Sequence, residues 1–392
     1  MKKLIVFLII ILIFLSCKKG KELPTTFYNC NLNYVDSSFK NSNNLKYQNL
    51  LNSITADGVV GITLSVYKPN AGMWLGASGK ADLHNDIAMK ACNITRVGST
   101  VKTFVATIIL KLQEEGKLNI DDKISKYLQG NNISKIKNAH IATIRQLMQH
   151  SSGINNYIQD LKFQTASLNN WIKEWNADEL LKYSYNKAPY FSPDEDVRYS
   201  NTCYILLGLL IEKIEGKQLY KVFEEKIITP LGLANTQFAG KNPVPDGIVR
   251  GYIDMYSNFN VIESTYFSGW DYYTADGSLI SNVYDMNVFI RALIQGKIIN
   301  ASSLNKMLSW KTPNEVAVDF FSISYGLGIF KIETSKGIAY MHSGDAVGYH
   351  ADMFYFPNDS TTIVSTFNSN YGKIEPLVSS KNSMEKIINS IK

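Results

Sequence analysis

Strand patterns at the two ends of the chain, with helical patterns between them, restrict the possible folds of this sequence more than any other feature. Towards the N-terminus, VVGITLSVYK and MWLGASGKADL surround the turn residues Pro69-Asn70-Ala71-Gly72, so a hairpin is expected from about Val59. Towards the C-terminus, YGLGIFKIE, GIAYMHSG, YHADMFYFP and TTIVSTFN alternate with turn residues, and MEKIINSI closes the chain as a helix. Helical spacing dominates the middle, in STVKTFVATIILKLQEEGKL, TIRQLMQH, LNNWIKEWNADELLKYS, TCYILLGLLIEKIEG, LYKVFEEKIITPLG and SNVYDMNVFIRALIQG. LKYQNLLNSI adds a short helix before the first strand. Strands with one apolar face must pair and be covered. The expectation is therefore an α+β fold, an antiparallel β-sheet completed by both ends of the chain and flanked by helices, with a mainly helical second lobe at about residues 120–265.

The first residues carry a different message. Lys2 and Lys3 precede twelve uninterrupted apolar residues, Leu4 to Leu15, and then Ser16 and Cys17. A membrane-spanning helix needs about 20 apolar residues, and Lys18 and Lys19 end this run well short of that. Residues 1–16 therefore read as a secretory signal, with an uncleaved anchor as the alternative. Ser16-Cys17 resembles a bacterial lipobox, although Phe14 stands where Leu is commoner, and that resemblance implies lipidation at Cys17 and a lipid-anchored place in the bacterial cell envelope. Residues 17–44 are polar with little periodicity and read as a tether, leaving 45–392 as one domain.

Composition removes other classes. A formal net charge of +6, spread without basic runs, offers no nucleic-acid footprint. Cys30, Cys92 and Cys203 are too few and too widely spaced for a disulfide framework, although one bridge can form. The five histidines contain no i, i+4 pair, and G-x-S-x-G, H-E-x-x-H, C-x-x-C and the P-loop pattern are all missing. No metal and no cofactor are expected.

What remains is Ser-x-x-Lys. On a helix, residues three apart share a face, so Ser99 and Lys102 can meet, and a lysine amine can take the proton that keeps a serine hydroxyl weakly nucleophilic. The motif occurs eight times in this chain, so spacing alone is uninformative. Only Ser99 opens a long apolar helix after a glycine-bearing turn, RVGS. The plain alternative is a helix cap followed by a surface lysine. Two further segments bear on the choice: Tyr199-Ser200-Asn201 before an apolar helix, and His342-Ser343-Gly344 between two strand patterns. A second Tyr-Ser-Asn, at Tyr256, has no helix after it.

In this order the segments resemble the active-site motifs of the serine β-lactamase and penicillin-binding protein superfamily, in its class C and DD-carboxypeptidase-like branch, over roughly residues 50 to 385. TIRQLMQHSSGI, ITPLGLANTQF and ADGSLISNVYDMNVFIRAL stand at family-like places. The resemblance implies that Ser99 is acylated, that Lys102 and Tyr199 move protons, and that Asn201 holds a substrate carbonyl. It implies that His342, Ser343 and Gly344 line the substrate, and that the backbone N–H groups of Ser99 and Asp345 form an oxyanion hole. Histidine at 342, where class C β-lactamases usually carry lysine, argues against a dedicated β-lactamase. A partly charged His342 is expected to attract a substrate carboxylate. The expected substrates are small peptides, esters or β-lactams, with a D-alanyl-D-alanine carboxypeptidase-like peptidase first, an esterase or β-lactamase as alternatives, and a non-catalytic penicillin-binding sensor as a different class.

Overall fold

The computed structural model describes residues 34, 36–242, 244–267, 273–315 and 320–392. The leader, Cys17 and Cys30 lie outside them. Eight strands form the main sheet: β1 (Gly61–Lys68), β2 (Gly72–Asp82), β3 (Ile87–Ala88), β4 (Ile323–Tyr325), β5 (Phe330–Thr334), β6 (Gly337–Ala346), β7 (Tyr349–Phe356) and β8 (Thr361–Phe367). Their order is β3-β2-β1-β8-β7-β6-β5-β4, antiparallel throughout. The N-terminal hairpin joins the C-terminal meander through β1 and β8, so both ends complete one sheet, as the strand patterns require.

Alternation decides what covers each face. Ile62, Leu64 and Val66 of β1 point to a core shared with α1 (Asn44–Ala56) and with the C-terminal helix. Thr63 and Ser65 point the other way, where Thr63 and Thr366 hydroxyls bond at 2.8 Å and Ser65 Oγ donates to the Val283 carbonyl. On that second face lie α2 (Val101–Glu114), α3 (Asn201–Glu215) and α4 (Val283–Ile294), which share the larger core. α2 buries residues all round, including Lys102, because it runs between the sheet and the helical lobe.

Three boundaries differ from the sequence expectation. The tether ends early: Tyr34 donates to the Met73 carbonyl and stacks on Tyr284, and Ser38 Oγ accepts the Leu75 N–H, so residues before 45 already dock on the sheet. The stretch LNNWIKEWNADELLKYS is not one helix. Helix ends at Leu168 and resumes at Ala177 behind a capping box of Asn176 and Glu179, because asparagine side chains offer the backbone a competing partner. The helical lobe closes near Leu231, and residues 237–281 contribute short strands instead. Cys92 is disulfide-bonded, while Cys203 is a buried free thiol.

The C-terminal helix, α5 (Lys381–Ile391), buries Met384, Ile387, Ile388 and Ile391, one stripe at i, i+3, i+4 and i+7. Ile388→Ala empties a fully buried site and should cost about 2–5 kcal/mol of stability, read by urea unfolding. A loss below about 0.5 kcal/mol would mean that this helix does not hold the sheet.

Candidate active site

Ser99 lies in a single 3-10 turn, Gly98–Thr100, that runs straight into α2. Gly98 has φ +49°, and a Cβ there would stand 2.4 Å from the Asp345 carbonyl oxygen. Gly344 is equally confined: its Cβ would stand 2.1 Å from the Val97 carbonyl oxygen and 2.6 Å from Ser99 N. Both positions need glycine because β6 presses against the nucleophile turn. That contact sets the backbone of Gly344 and Asp345 directly against the turn that carries Ser99. β5 pairs with β6 only as far as Phe330 opposite Met341, so residues 342–346 keep an edge along which an extended substrate can lie.

Lys102 is fully buried, and its Nζ donates to Ser99 Oγ at 2.9 Å. The same Nζ donates to the backbone carbonyl of Asp276, which Ser99 Oγ also reaches at 3.4 Å. Antiparallel pairing of Thr95–Arg96 with Leu279–Ser281, continued by Val97 N–H to the Leu279 carbonyl, delivers that carbonyl to the site. Tyr199 closes the cluster with its ring centroid 5.0 Å from Lys102 Nζ. Nucleophile and amine, from one turn and the helix it opens, thus meet the phenol from a second segment.

Tyr199 is held by a residue that the sequence analysis left out. His150, buried with φ +57°, lays its ring 4.4 Å from that of Tyr199. Its carbonyl accepts Arg198 N–H and its Nδ1 accepts Ser200 N–H at 3.1 Å, so it brackets the tyrosine on both sides. Asn156 Oδ1 then accepts Asn201 N–H at 3.1 Å, fixing the start of α3. The segment QHSSGI was visible as a motif, yet nothing local to it reveals that it grips residues 198–201.

The family model described as Beta-lactamase matches residues 48–377. The chain belongs to that family. It resembles the D-stereospecific amidohydrolase of Streptomyces sp., at 28% identity and TM-score 0.75 over 88% of this chain and 98% of that one. It shares its fold with the D-amino acid amidase of Ochrobactrum anthropi SV3, at TM-score 0.78 and 24% identity, covering 89% and 98% of the two chains. Penicillin-binding protein 4* of Bacillus subtilis (strain 168) is 27% identical over 300 residues, 74% of this chain and 64% of that protein. The chain therefore spans less than two thirds of that relative's length.

Within this Beta-lactamase family site, Asn201 is buried and its carboxamide oxygen has no hydrogen-bond partner. Tyr256 is 71% exposed, whereas Tyr199 is partly buried. Asp276 is the second residue that sequence missed: its carboxyl accepts Tyr157 OH at 2.8 Å and Thr274 Oγ1 at 2.5 Å. Burial pushes that carboxyl up, with Lys102 and the two donors opposing. Among the described residues no cluster of metal-ligating side chains occurs.

His342 requires a correction. It was expected to be partly charged near neutral pH, but it is buried against Phe330, with ring centroids 4.7 Å apart, and lies near Lys102. Burial, then Lys102, lower its pKa to about 3, and its Nδ1 bonds the Ser343 carbonyl at 2.6 Å, leaving Nε2 unpartnered. It is neutral at physiological pH and cannot attract a carboxylate by charge.

The unfolded chain takes up this proton near the ordinary value of about 6.5, so stability contributed by neutral His342 is complete above that pH and lost as pH falls. The ratio of kcat/KM for a carboxylate-bearing peptide to that for a neutral ester should stay level between about pH 5 and about pH 8. A ratio that drops through pH ~6.5 would restore a charged imidazole to the site.

Proposed function

We propose that this protein is an acyl-enzyme hydrolase of small amide substrates built on D-amino acids, acting in the bacterial cell envelope. The observation that carries it is the 2.9 Å hydrogen bond between buried Lys102 and Ser99 at the mouth of an apolar helix. Ser99 Oγ attacks the acyl carbon while its proton passes to the Lys102–Tyr199 pair. The oxyanion is held by the N–H groups of Ser99 and Asp345. Return of the proton to the leaving nitrogen releases the amine, and water then cleaves the Ser99 ester by the same route.

The neutrality of His342 ranks the substrates. A D-alanyl-D-alanine carboxypeptidase or a β-lactamase must accommodate a substrate carboxylate, and His342 supplies no charge for it. D-amino acid amides, and peptides whose leaving group carries no such demand, fit better. The similarity to a D-stereospecific amidohydrolase over 88% of this chain supports the same order. Neutral His342 also favours an esterase, which stands as the second reading.

Turnover of a D-phenylalanine amide, a D-alanyl-D-alanine peptide, nitrocefin and a nitrophenyl ester should rank amide and ester above the other two. Nitrocefin as the fastest substrate would reverse the proposal. Ser99→Ala should abolish fluorophosphonate labelling and lower turnover ~10⁴-fold or more, while Tyr199→Phe should cost on the order of 10²- to 10⁴-fold and Tyr256→Phe nothing measurable. Labelling that persists in Ser99→Ala moves the nucleophile elsewhere.

We also propose that Cys17 carries the lipid anchor, from the Ser16-Cys17 junction after the apolar run. Palmitate should label the wild type and not Cys17→Ala, and the wild type should partition into detergent. A mature wild-type chain that begins elsewhere and carries no lipid removes the anchor.

A further inference from the structure

Behind the oxyanion strand lies a charged cluster that the acylation chemistry does not use. His350 of β7 is buried and stands opposite Asp345 of β6 in the strand register. Its Nδ1 is 2.6 Å from Asp345 Oδ1, and its Nε2 is 3.1 Å from Asp352 Oδ1, two residues along the same strand. Carboxylates on both ring nitrogens require both to be donors, so the ring is an imidazolium. Burial opposes the charge, but Asp352 and Asp345 outweigh it and hold the pKa well above its ordinary value. Asp352 is fully buried and accepts a long hydrogen bond from Ser365 Oγ at 3.4 Å. Phe367 of β8 covers the imidazole at 5.8 Å between centroids.

Asp345 is an awkward side chain for its place. In the proposed mechanism its own backbone N–H holds the oxyanion, while its carboxylate is 58% exposed. An unneutralised negative charge there opposes the negative charge that develops on the acyl oxygen. We propose that His350 is a positioning residue whose imidazolium offsets the Asp345 carboxylate and ties it back to β7, so that the oxyanion hole faces a weaker competing charge. His350 touches neither Ser99 nor Lys102 and carries no proton in the reaction. The inference rests on the Ser99 acyl-enzyme reading.

Two measurements test it. His350→Gln keeps a donor but no charge, and should lower kcat for a nitrophenyl ester by about tenfold while KM moves less than about threefold. Adding Asp345→Asn to His350→Gln should recover most of the lost kcat, because asparagine removes the carboxylate that borders the oxyanion hole. A cavity or a merely loosened sheet would not be repaired by that second change.

The pH profile supplies the other measurement and does not depend on the folding of His350→Gln. With a raised pKa, the imidazolium is complete at low and neutral pH and is lost on the alkaline side, so wild-type kcat/KM should fall there. The charged groups facing His350 are Asp345 from β6 and Asp352 from β7, while β8 presents Phe367 and Ser365. The alkaline fall should be shallower in Asp345→Asn, and any ionisation of Lys102 or Tyr199 is common to both proteins. A double variant as slow as His350→Gln, or superimposable alkaline limbs in wild type and Asp345→Asn, overturns the proposal. Fluorophosphonate labelling of wild-type Ser99 separates the two levels: its absence strikes the acyl-enzyme reading, whereas labelling without rescue strikes the role of His350 alone.

Discussion

The close approach of β6 to the nucleophile turn is the contact on which the rest of the site depends. Gly344 lets the strand lie where any side chain would collide with the Val97 carbonyl, and Gly98 does the same against Asp345 from the other side. A strand 240 or so positions away in sequence is thereby brought beside the serine. The sheet supplies rigidity for this approach, since β6 is held by β7 from Tyr340 to Ala346 and by β5 from Gly337 to Met341. Its uncovered half is the part beside the serine.

Burial makes the site chemically demanding. Lys102 has no exposure, and two imidazoles lie near it, yet His150 and His342 both remain neutral because desolvation and the amine itself disfavour further positive charge. Asp276 stands on the other side of the amine, its carboxyl satisfied by Tyr157 and Thr274 and its carbonyl by Lys102. The result is one amine, one phenol and one hydroxyl in a setting of fixed dipoles, which is what proton transfer without solvent reorganisation needs. His350 lies in the opposite regime. It is buried too, but two carboxylates bracket it and charge it.

Strand alternation, helical spacing and the turn Pro69-Asn70-Ala71-Gly72 are local properties, and they were enough for the α+β class, the hairpin, the meander and the terminal helix. Ser99, Lys102, Tyr199 and Asn201 stood out as candidates because each sits at an element boundary that its own neighbours mark, and His342-Ser343-Gly344 because it lies between two strand patterns. Their order along the chain pointed to the family whose model spans residues 48–377. The short strands between 237 and 281, and the break before Ala177, were not legible, because asparagine competition and two-residue pairings leave almost no periodic trace.

Tertiary structure alone decided charge and partnership. Nothing local distinguishes His150, His342 and His350, yet one is a neutral bracket for Tyr199, one a neutral wall of the cleft and one an imidazolium between two aspartates. Asp276 entered the site through its main-chain carbonyl, an atom every residue has, so no side-chain pattern can announce it. Sequence determines which groups a chain possesses and where its elements begin. Whether an imidazole is charged, or which carbonyl meets an amine, depends on desolvation and on neighbours supplied by distant segments, and these exist only once the chain has folded.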